Sequence, residues 1–500
     1  MSKEILISAE EQEIRVAFIE KGVLEEFYVE RKHRERMLGN IYKGKVDSVL
    51  PGIGAAFVDL GLEKNGFLYL SDVASPHYLV DEEEETLVDK QQEETKTLAQ
   101  KGEMLLEKGK EIVVQVVKEP FGRKGARLTT HVALPGRYLV AMPHNGHIGI
   151  SKKIRDGAER ERLRKLLSEL RLPKRMGFIV RTVGQGKGRK EFIRDTRYLG
   201  TVWARIQSRA EKLPAPALLH EEHDLIMRII RDSFSEEVDK LIIEGQEEHR
   251  KTLHFVRTLA PSLHSRVELH RGEVPLFKKK GIEEEIEKIY SRKVYLKCGG
   301  HLVIEKTEGL VAVDVNTGKF IGKKRQEDTA FKANLEAAEE VARQVRLRDI
   351  GGIIVIDFID MELEGHRREV FRTLVEAFRR DKAKTNILSI SEIGVVEMTR
   401  QRMRQDPESV SYQSCPYCQG RGSVKSVETV AIHALREMRR FFSQMGRRTE
   451  VVVSLHPDVA SYLLKEGVRS VGHLEREYSS RITLCEDPKL HIEDVRLNPV

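Results

Sequence analysis

LVAVDVNTGKF at 310–320 and GGIIVIDFID at 351–360 bracket a charged segment with helical spacing, and the reading of this stretch decides the fold. Each apolar run ends in a carboxylate, Asp314 or Asp357. Asn316 shares the side-chain face of Asp314, because strand side chains repeat every second residue. From about Gln326 to Arg348, Phe331, Leu335, Ala338, Val341, Ala342 and Val345 recur at helical spacing, and Gly351-Gly352 is expected to stop that helix. Runs so continuously apolar imply strands covered on both faces. A strand, a helix and a parallel strand make a right-handed crossover, so both aspartates emerge at one edge of the sheet. That edge is where open α/β sheets bind ligands. Either aspartate alone would do no more than begin a turn, and D-V-N-T-G is turn-like. Two at matching strand ends, with Lys319, Lys323, Lys324 and Arg325 close behind, suit Mg²⁺, which takes one or two carboxylates plus waters and substrate phosphate. Metal-assisted phosphodiester cleavage is the chemistry this set favours.

The rest of the chain bounds that reading. Five hundred residues imply several domains. A net charge of +7 and a pI near 9.0 permit an anionic partner such as nucleic acid. No apolar run approaches the roughly 18 residues of a membrane span, and MSKEILISAEEQEIR has no signal-peptide core. Of four cysteines only Cys415 and Cys418 lie close in sequence, which points to a reducing interior. A cytoplasmic protein is expected.

Residues 3–31 read as short strands with a turn at Lys21-Gly22. Two or three strands are not stable alone, so residues 216–289 are expected to complete the sheet, with VDKLIIEG and RVELH as its further strands. From Leu38, closely spaced strands bent at glycines indicate a small barrel. Alternation puts Ala56, Val58 and Leu60 on one face and Phe57 on the other, and sets Phe67 and Tyr69 opposite Leu68 and Leu70. Such rings either stack on unpaired bases or fill a second hydrophobic layer. An acidic excursion, Pro76 to Gly109, interrupts the barrel, which resumes at KEIVVQVVKEPFGRKGARLTT with Arg123, Lys124 and Arg127 placed for phosphate contacts. Residues 130–213 form another unit, with strands near Arg137–Met142 and an amphipathic helix carrying Leu163, Leu166, Leu167 and Leu170. There GFIVRTVGQGKGRK delivers Arg181 and Thr182 to a Gly- and Lys-rich loop. An arginine so placed grips a phosphate through its planar fork, or is an ordinary surface residue before a turn.

YQSCPYCQGRGSV, at 412–424, holds C-P-Y-C, the spacing of half a tetrathiolate zinc site. Cys298 and Cys485 are distant and expected to be buried small residues. Two chains each contributing Cys415 and Cys418 to one Zn²⁺ would complete the site and make a symmetric dimer. A metal-free thiol pair or a redox disulfide are the alternatives. After Ser423 a helix, a strand, a helix and a strand pair read as a small α+β unit with nothing catalytic in it.

Taken together, VDVNTGKF, EDTAFKANLEAAEEVARQVRLRDIGGIIVIDFIDM, RQRMRQDPESVSYQSCPYCQGRG, LGNIYKGKVDSVLPGIGAAFVDLG and GFIVRTVGQGK resemble the ribonuclease E/G family, in order and over essentially the full length. The short chain is similar to members that lack a long disordered scaffold. The resemblance implies a multidomain α/β and α+β protein. An RNase H-like domain (1–35 and 216–289) is interrupted by an OB-fold barrel of S-one type (36–129) and a 5′-sensor (130–215). A deoxyribonuclease-I-like catalytic domain (290–411), a zinc link (412–425) and a small dimerisation domain (426–500) follow. It implies a Mg²⁺-dependent endoribonuclease that cleaves single-stranded RNA to 5′-phosphate and 3′-hydroxyl ends, is stimulated by a 5′-monophosphate, and serves rRNA and tRNA processing and mRNA decay. On matching positions, Asp314 and Asp357 would bind Mg²⁺ and Asn316 would orient the attacking water or scissile phosphate. Arg181, Thr182 and backbone near Gly136 and Val140 would take the 5′-phosphate. Phe57, Phe67 and Lys124 would hold RNA, and Cys415 and Cys418 would form the zinc link of a homodimer, or of a dimer pair in a tetramer. The chain departs from the family pattern in GKFIGKKRQ after Asn316 and in Lys384, where an arginine is expected. A non-catalytic RNA adaptor and a DNA nuclease are the competing readings. The carboxylate pair with Asn316 argues against the first and the resemblance against the second.

Overall fold

The computed structural model describes residues 2–31, 36–74, 104–120, 124–143, 146–170, 172–173, 176–318, 326–391, 393–403, 406–445 and 449–499. Arg123, Lys319, Lys323, Lys324, Arg325 and most of the acidic excursion lie outside the described residues. The chain divides into two units, Met1–Val410 and Ser411–Val500.

The N-terminal strands find their partners more than two hundred residues away. β1 (Lys3–Ala9), β2 (Glu13–Glu20) and β3 (Val23–Arg31) form a meander whose second turn has Lys21 and Gly22 both at positive φ, 53° and 79°, the twist that a two-residue hairpin demands. β14 (Lys240–Glu244) adds in parallel to β1, and β15 (Val267–Leu269) in parallel to β14, giving the order β15-β14-β1-β2-β3. Ile5 and Ile7 pack under the helices Leu225–Ser233 and Gln246–Leu259, while Leu6 packs oppositely with Leu24, Phe277 and Leu347. This explains why β1 is apolar at consecutive positions.

β4 (Ile41–Leu50), β5 (Ala55–Asp59), β6 (Gly66–Tyr69), β7 (Glu111–Lys118) and β8 (Arg127–Thr129) bond in the order β4-β5-β6-β8-β7, and β7 returns to β4. This closed five-stranded barrel is compatible with an OB-like fold. β13 (Ala217–His220) extends it from β4. Ala56, Val58, Leu68, Val114 and Leu128 fill its inside. β9 (Leu134–Pro135), β10 (Leu139–Pro143), β11 (Ile148–Ile150) and β12 (Met176–Val180) form a separate sheet, β11-β12-β10-β9. It packs on the helices Gly157–Ser168 and Arg189–Lys212 through Leu163, Leu167, Phe178, Phe192 and Leu199.

The sheet that carries the aspartates runs β16 (Lys293–Tyr295), β17 (His301–Lys306), β18 (Leu310–Asn316), β19 (Gly352–Asp357), β21 (Val395–Arg400), β20 (Thr385–Ile387) across its width. β18 and β19 are parallel neighbours joined through the helix Gln326–Leu347. Two expectations are corrected here. The strands are not covered on both faces: Val311, Val313, Val315, Ile354 and Ile356 are buried with this helix and the helix Glu364–Phe378, while Leu310 is 37% and Ile353 51% exposed. Apolar residues on the open face had disguised the alternation. Nor do the glycines end the helix. Asp349, at φ 46°, takes the left-handed position, and Ile350 N–H reaches back to Val345 O at 3.0 Å. The Asp349 carboxylate is held by Arg400, which also grips Asp381, all three almost wholly buried. Gly351 serves a different need, since a Cβ there would lie 2.7–2.9 Å from Arg402.

In the second unit the helix Val427–Met445 packs on β22 (Glu450–Leu455), β23 (Arg481–Glu486) and β24 (Val495–Pro499). The two last strands do not pair with each other. Each flanks β22, one parallel and one antiparallel, and two helices, Pro457–Lys465 and Val468–Tyr478, connect β22 to β23. Among the described residues no helix is long and apolar enough to cross a membrane.

Candidate active site

Asp314 and Asp357 are direct register partners across β18 and β19. Neighbouring strands lie about 4.8 Å apart, so both carboxylates stand side by side on the open face, exposed, at the carboxyl ends of two parallel strands. Asn316 Nδ2 donates to Asp314 Oδ2 at 2.7 Å, which fixes one carboxylate oxygen and leaves Asn316 Oδ1 as an acceptor. On the adjacent β17, His301 pairs with Asn316 in register. Desolvation and the Lys293 charge lower the His301 pKa against the pull of Asp314. This donor set, all oxygen and open to water, fits a hard cation that keeps several waters. Among the described residues no group of three or more His, Cys, Asp and Glu side chains converges on one point. A cation here would rely on the two aspartates and on ligands that are not protein.

Two side chains that the sequence reading missed hold the backbone beyond Asp357. Asn334, fully buried, donates from Nδ2 to Ile359 O at 2.7 Å and accepts from Ile359 N–H at 3.1 Å. Glu327 accepts from the N–H groups of Glu362 and Leu363 at 3.0 and 3.2 Å and lies 2.9 Å from His366 Nδ1. The Glu362 bond leads the interactions that lower the Glu327 pKa. Asn334 falls three residues after Phe331 and four before Ala338, so a polar residue in the apolar stripe was its available signal.

The barrel presents Phe57 and Phe67 as cross-strand partners with ring centroids 5.8 Å apart, and Tyr69 meets Phe67 edge-on at 4.9 Å. Both Phe rings are half-buried and face outward, opposite the barrel core, and Arg127 lies 4.8 Å over the Tyr69 ring. Lys124 is exposed nearby in sequence, beyond β7.

Arg181 and Thr182 follow β12, as the pattern suggests, but the arginine is not free. Its Nη1 donates to Gly136 O and to Asp232 Oδ1, both at 2.6 Å. Asp232 in turn receives Arg231 through Nε and Nη2, both at 3.1 Å, and Arg231 Nη1 reaches Glu222 at 2.7 Å. Burial works to raise the Asp232 pKa, but the Arg231 bond and the Arg181 and Arg231 charges hold it below its ordinary value. Gly136 N–H is engaged with Leu139 O. The N–H groups of Arg137, Tyr138 and Leu139 converge on the Asp195 carboxylate at 2.8–3.0 Å. A Cβ at Gly136 would sit 2.6 Å from Asp195, so only glycine fits. Burial raises the Asp195 pKa despite those bonds and the charge of Arg181. Val140 lies on β10, paired with Ile179 and Pro135.

In the second unit, Gln419, Gly420 and Gly422 all have positive φ, folding the chain around Cys418. Gly422 N–H lies 3.4 Å from Cys418 Sγ, and the Gly422 and Gly420 amides lower that thiol's pKa. Amide-stabilised sulfur on a tight turn is the chemistry of a metal-binding knuckle, and the two thiols would be two of the four ligands that a structural zinc takes. Cys298 is half-buried and Cys485 exposed, so the expectation that both are buried is corrected. Cys485 sits on β23, whose alternate side chains face outward.

A model of the ribonuclease E/G family matches residues 133–403, and one described as the RNase E/G thioredoxin-like domain matches 414–500. The chain is similar to ribonuclease G of Escherichia coli strain K12, 41% identical over 98% of each chain. It is also similar to ribonuclease G of Haemophilus influenzae, 40% identical over 93% of this chain and 92% of that one. Ribonuclease E of Haemophilus influenzae is 39% identical over 97% of this chain, which spans half of that protein's length.

Proposed function

The chain belongs to the ribonuclease E/G family, and from that premise we propose that it is an endoribonuclease acting on single-stranded RNA through a Mg²⁺ site on Asp314 and Asp357. One observation carries the reading: two aspartates far apart in sequence become register partners on an open sheet face, with Asn316 bonded to one of them. Bound there, Mg²⁺ supplies positive charge that acidifies water and neutralises a phosphodiester. The chain's own groups do the rest. Asp314 and Asp357 fix the centre of charge, Asn316 locks Asp314 and offers Oδ1 to the attacking water, and Asn334 and Glu327 hold the backbone that carries Asp357. Cleavage leaves a 5′-phosphate and a 3′-hydroxyl.

Around this centre, Phe57 and Phe67 stack on unpaired bases and Lys124 meets a phosphate. Arg181 and Thr182 receive a 5′-monophosphate, with the Gly136–Val140 backbone beside them, and so favour substrates that carry one. In this reading the five-strand N-terminal sheet is the split RNase H-like domain and the aspartate-bearing sheet is deoxyribonuclease-I-like. The domain limits are 1–35, 36–129, 130–215, 216–289, 290–411, 412–425 and 426–500. Cys415 and Cys418 of two chains share a Zn²⁺ in a homodimer, the protein works in the cytoplasm, and its substrates are rRNA and tRNA precursors and mRNA.

The deciding experiment compares matched oligoribonucleotides, 5′-monophosphorylated or 5′-hydroxylated, with and without Mg²⁺. Asp314→Asn should lose orders of magnitude in turnover while keeping most of its RNA affinity. Undiminished cleavage by that variant would remove the assignment.

A further inference from the structure

Arg181 reaches its phosphate-binding role from an occupied state. Its guanidinium is bonded to Asp232, and Asp232 lines the same cavity of about 740 Å³ as Thr182. We propose that Asp232 is a tethered competitor for Arg181: it holds the guanidinium in the absence of a 5′-terminal phosphate and yields it when one binds, falling back on Arg231. The proposal rests on the reading of Arg181 and Thr182 as the 5′-phosphate site.

Three features of the network support release over rigid support. Asp232 is bound by a second arginine through a fork to both carboxylate oxygens, so parting from Arg181 leaves it neither bare nor unpaired. Arg181 Nη1 has a second acceptor, Gly136 O, so the guanidinium keeps its place without Asp232. Each guanidinium of the network also has a carboxylate partner, Arg181 in Asp232 and Arg231 in both Asp232 and Glu222. A terminal phosphate, carrying about −1.5 to −2 at neutral pH, meets an arginine that is already paired and gains it by exchange with Asp232. Such a site tunes the response to a 5′-phosphate instead of binding every anion tightly.

The test uses the full chain and two substitutions of opposite expected sign. The readout is the KM ratio between 5′-hydroxylated and 5′-monophosphorylated oligoribonucleotides of one sequence. Asp232→Asn removes the competing charge and should enlarge the monophosphate advantage by about three- to tenfold. Arg231→Lys removes the fork on which Asp232 falls back, tightens its hold on Arg181 and should shrink the advantage. In an Arg181→Gln background, Asp232→Asn should leave the ratio where Arg181→Gln alone sets it. If Asp232 merely positions Arg181, both single variants shrink the advantage, and the proposal is overturned. It is equally overturned if Asp232→Asn leaves the ratio unchanged. Removal of the Asp232 charge decides between exchange and mere positioning, since both expect Arg231→Lys to shrink the advantage; where Asp232→Asn does not fold, Asp232→Ser carries the same expected enlargement and is overturned by the same results. The underlying site fails separately: a parent enzyme that does not distinguish the two substrates, or an Arg181→Gln variant that still does, removes the 5′-phosphate reading itself.

Discussion

Asn334→Ala tests whether the clip behind Asp357 sets the proposed Mg²⁺ site. The side chain is fully buried and makes two bonds to one residue, Ile359, at 2.7 and 3.1 Å. Removing it forfeits about 1 kcal/mol net for each bond and leaves a peptide N–H and C=O unpaired, at about 1–3 kcal/mol per group if water does not reach them. The local loss is therefore about 2 kcal/mol where water reaches both groups and up to about 6 kcal/mol where it does not, enough to let the backbone two residues beyond Asp357 sample other positions. A displacement of about 1 Å in a catalytic group is worth on the order of 10² in rate. The expected outcome is a folded protein whose cleavage falls by up to that factor and whose Mg²⁺ activation curve moves to higher concentration, because the carboxylate pair must be reassembled at each binding event. Single-turnover cleavage of an unpaired oligoribonucleotide over a Mg²⁺ series reads this, and hydrogen exchange at the Ile359 amide reports the opening directly. A purely structural role predicts a lower melting temperature with the Mg²⁺ midpoint in place. Parental midpoint and parental Ile359 protection together would refute the reasoning.

Three other perturbations address other parts of the molecule. Phe67→Ala, measured in an Asp314→Asn background so that RNA survives, should weaken binding of unpaired RNA by about 1–3 kcal/mol per lost stack; unchanged affinity in a fluorescence titration would assign the ring to packing with Phe57 and Tyr69. Cys418→Ser should abolish stoichiometric zinc and convert dimer to monomer in light scattering, and a dimer that persists after both substitution and chelation would contradict the shared site. Glu159 accepts from Arg162 and from the Gly186 amide, and the Arg162 bond leads the causes that pull its pKa from 4.5 to about 2. Between those values the unfolded chain binds the extra proton, so stability is present above pH 4.5 and is lost as pH falls toward 2; Glu159→Gln should erase that part of the acid sensitivity in thermal melts.

Local pattern was enough to place the strands ending in Asp314 and Asp357, the helix between them, the alternation around Phe57 and Phe67, and the sequence behind Arg181. Each depends on spacing within one element, where a period of 2 or 3.6 reports burial directly. Pattern also misled where one face carried apolar side chains without a cover. Leu310 and Ile353 look like core and are not. Pattern signalled without naming a purpose at Asn334 and Asp195, two polar residues set three after an aromatic and four before an aliphatic in their helices. In both cases the partner is backbone distant in sequence, 25 positions away for Asn334 and 56 to 58 for Asp195.

By itself, the sequence determined which residues form strands and helices, that two carboxylates end parallel-capable strands, and which family the chain joins. Only the tertiary structure decided that those carboxylates are register partners, that one face of their sheet is open, and that Arg181 is held by a carboxylate 51 residues on. The physical reason is that periodicity encodes which way a side chain points from its own backbone. Pairing between segments depends on a balance of burial, charge and hydrogen bonding that exists only once the chain has closed on itself.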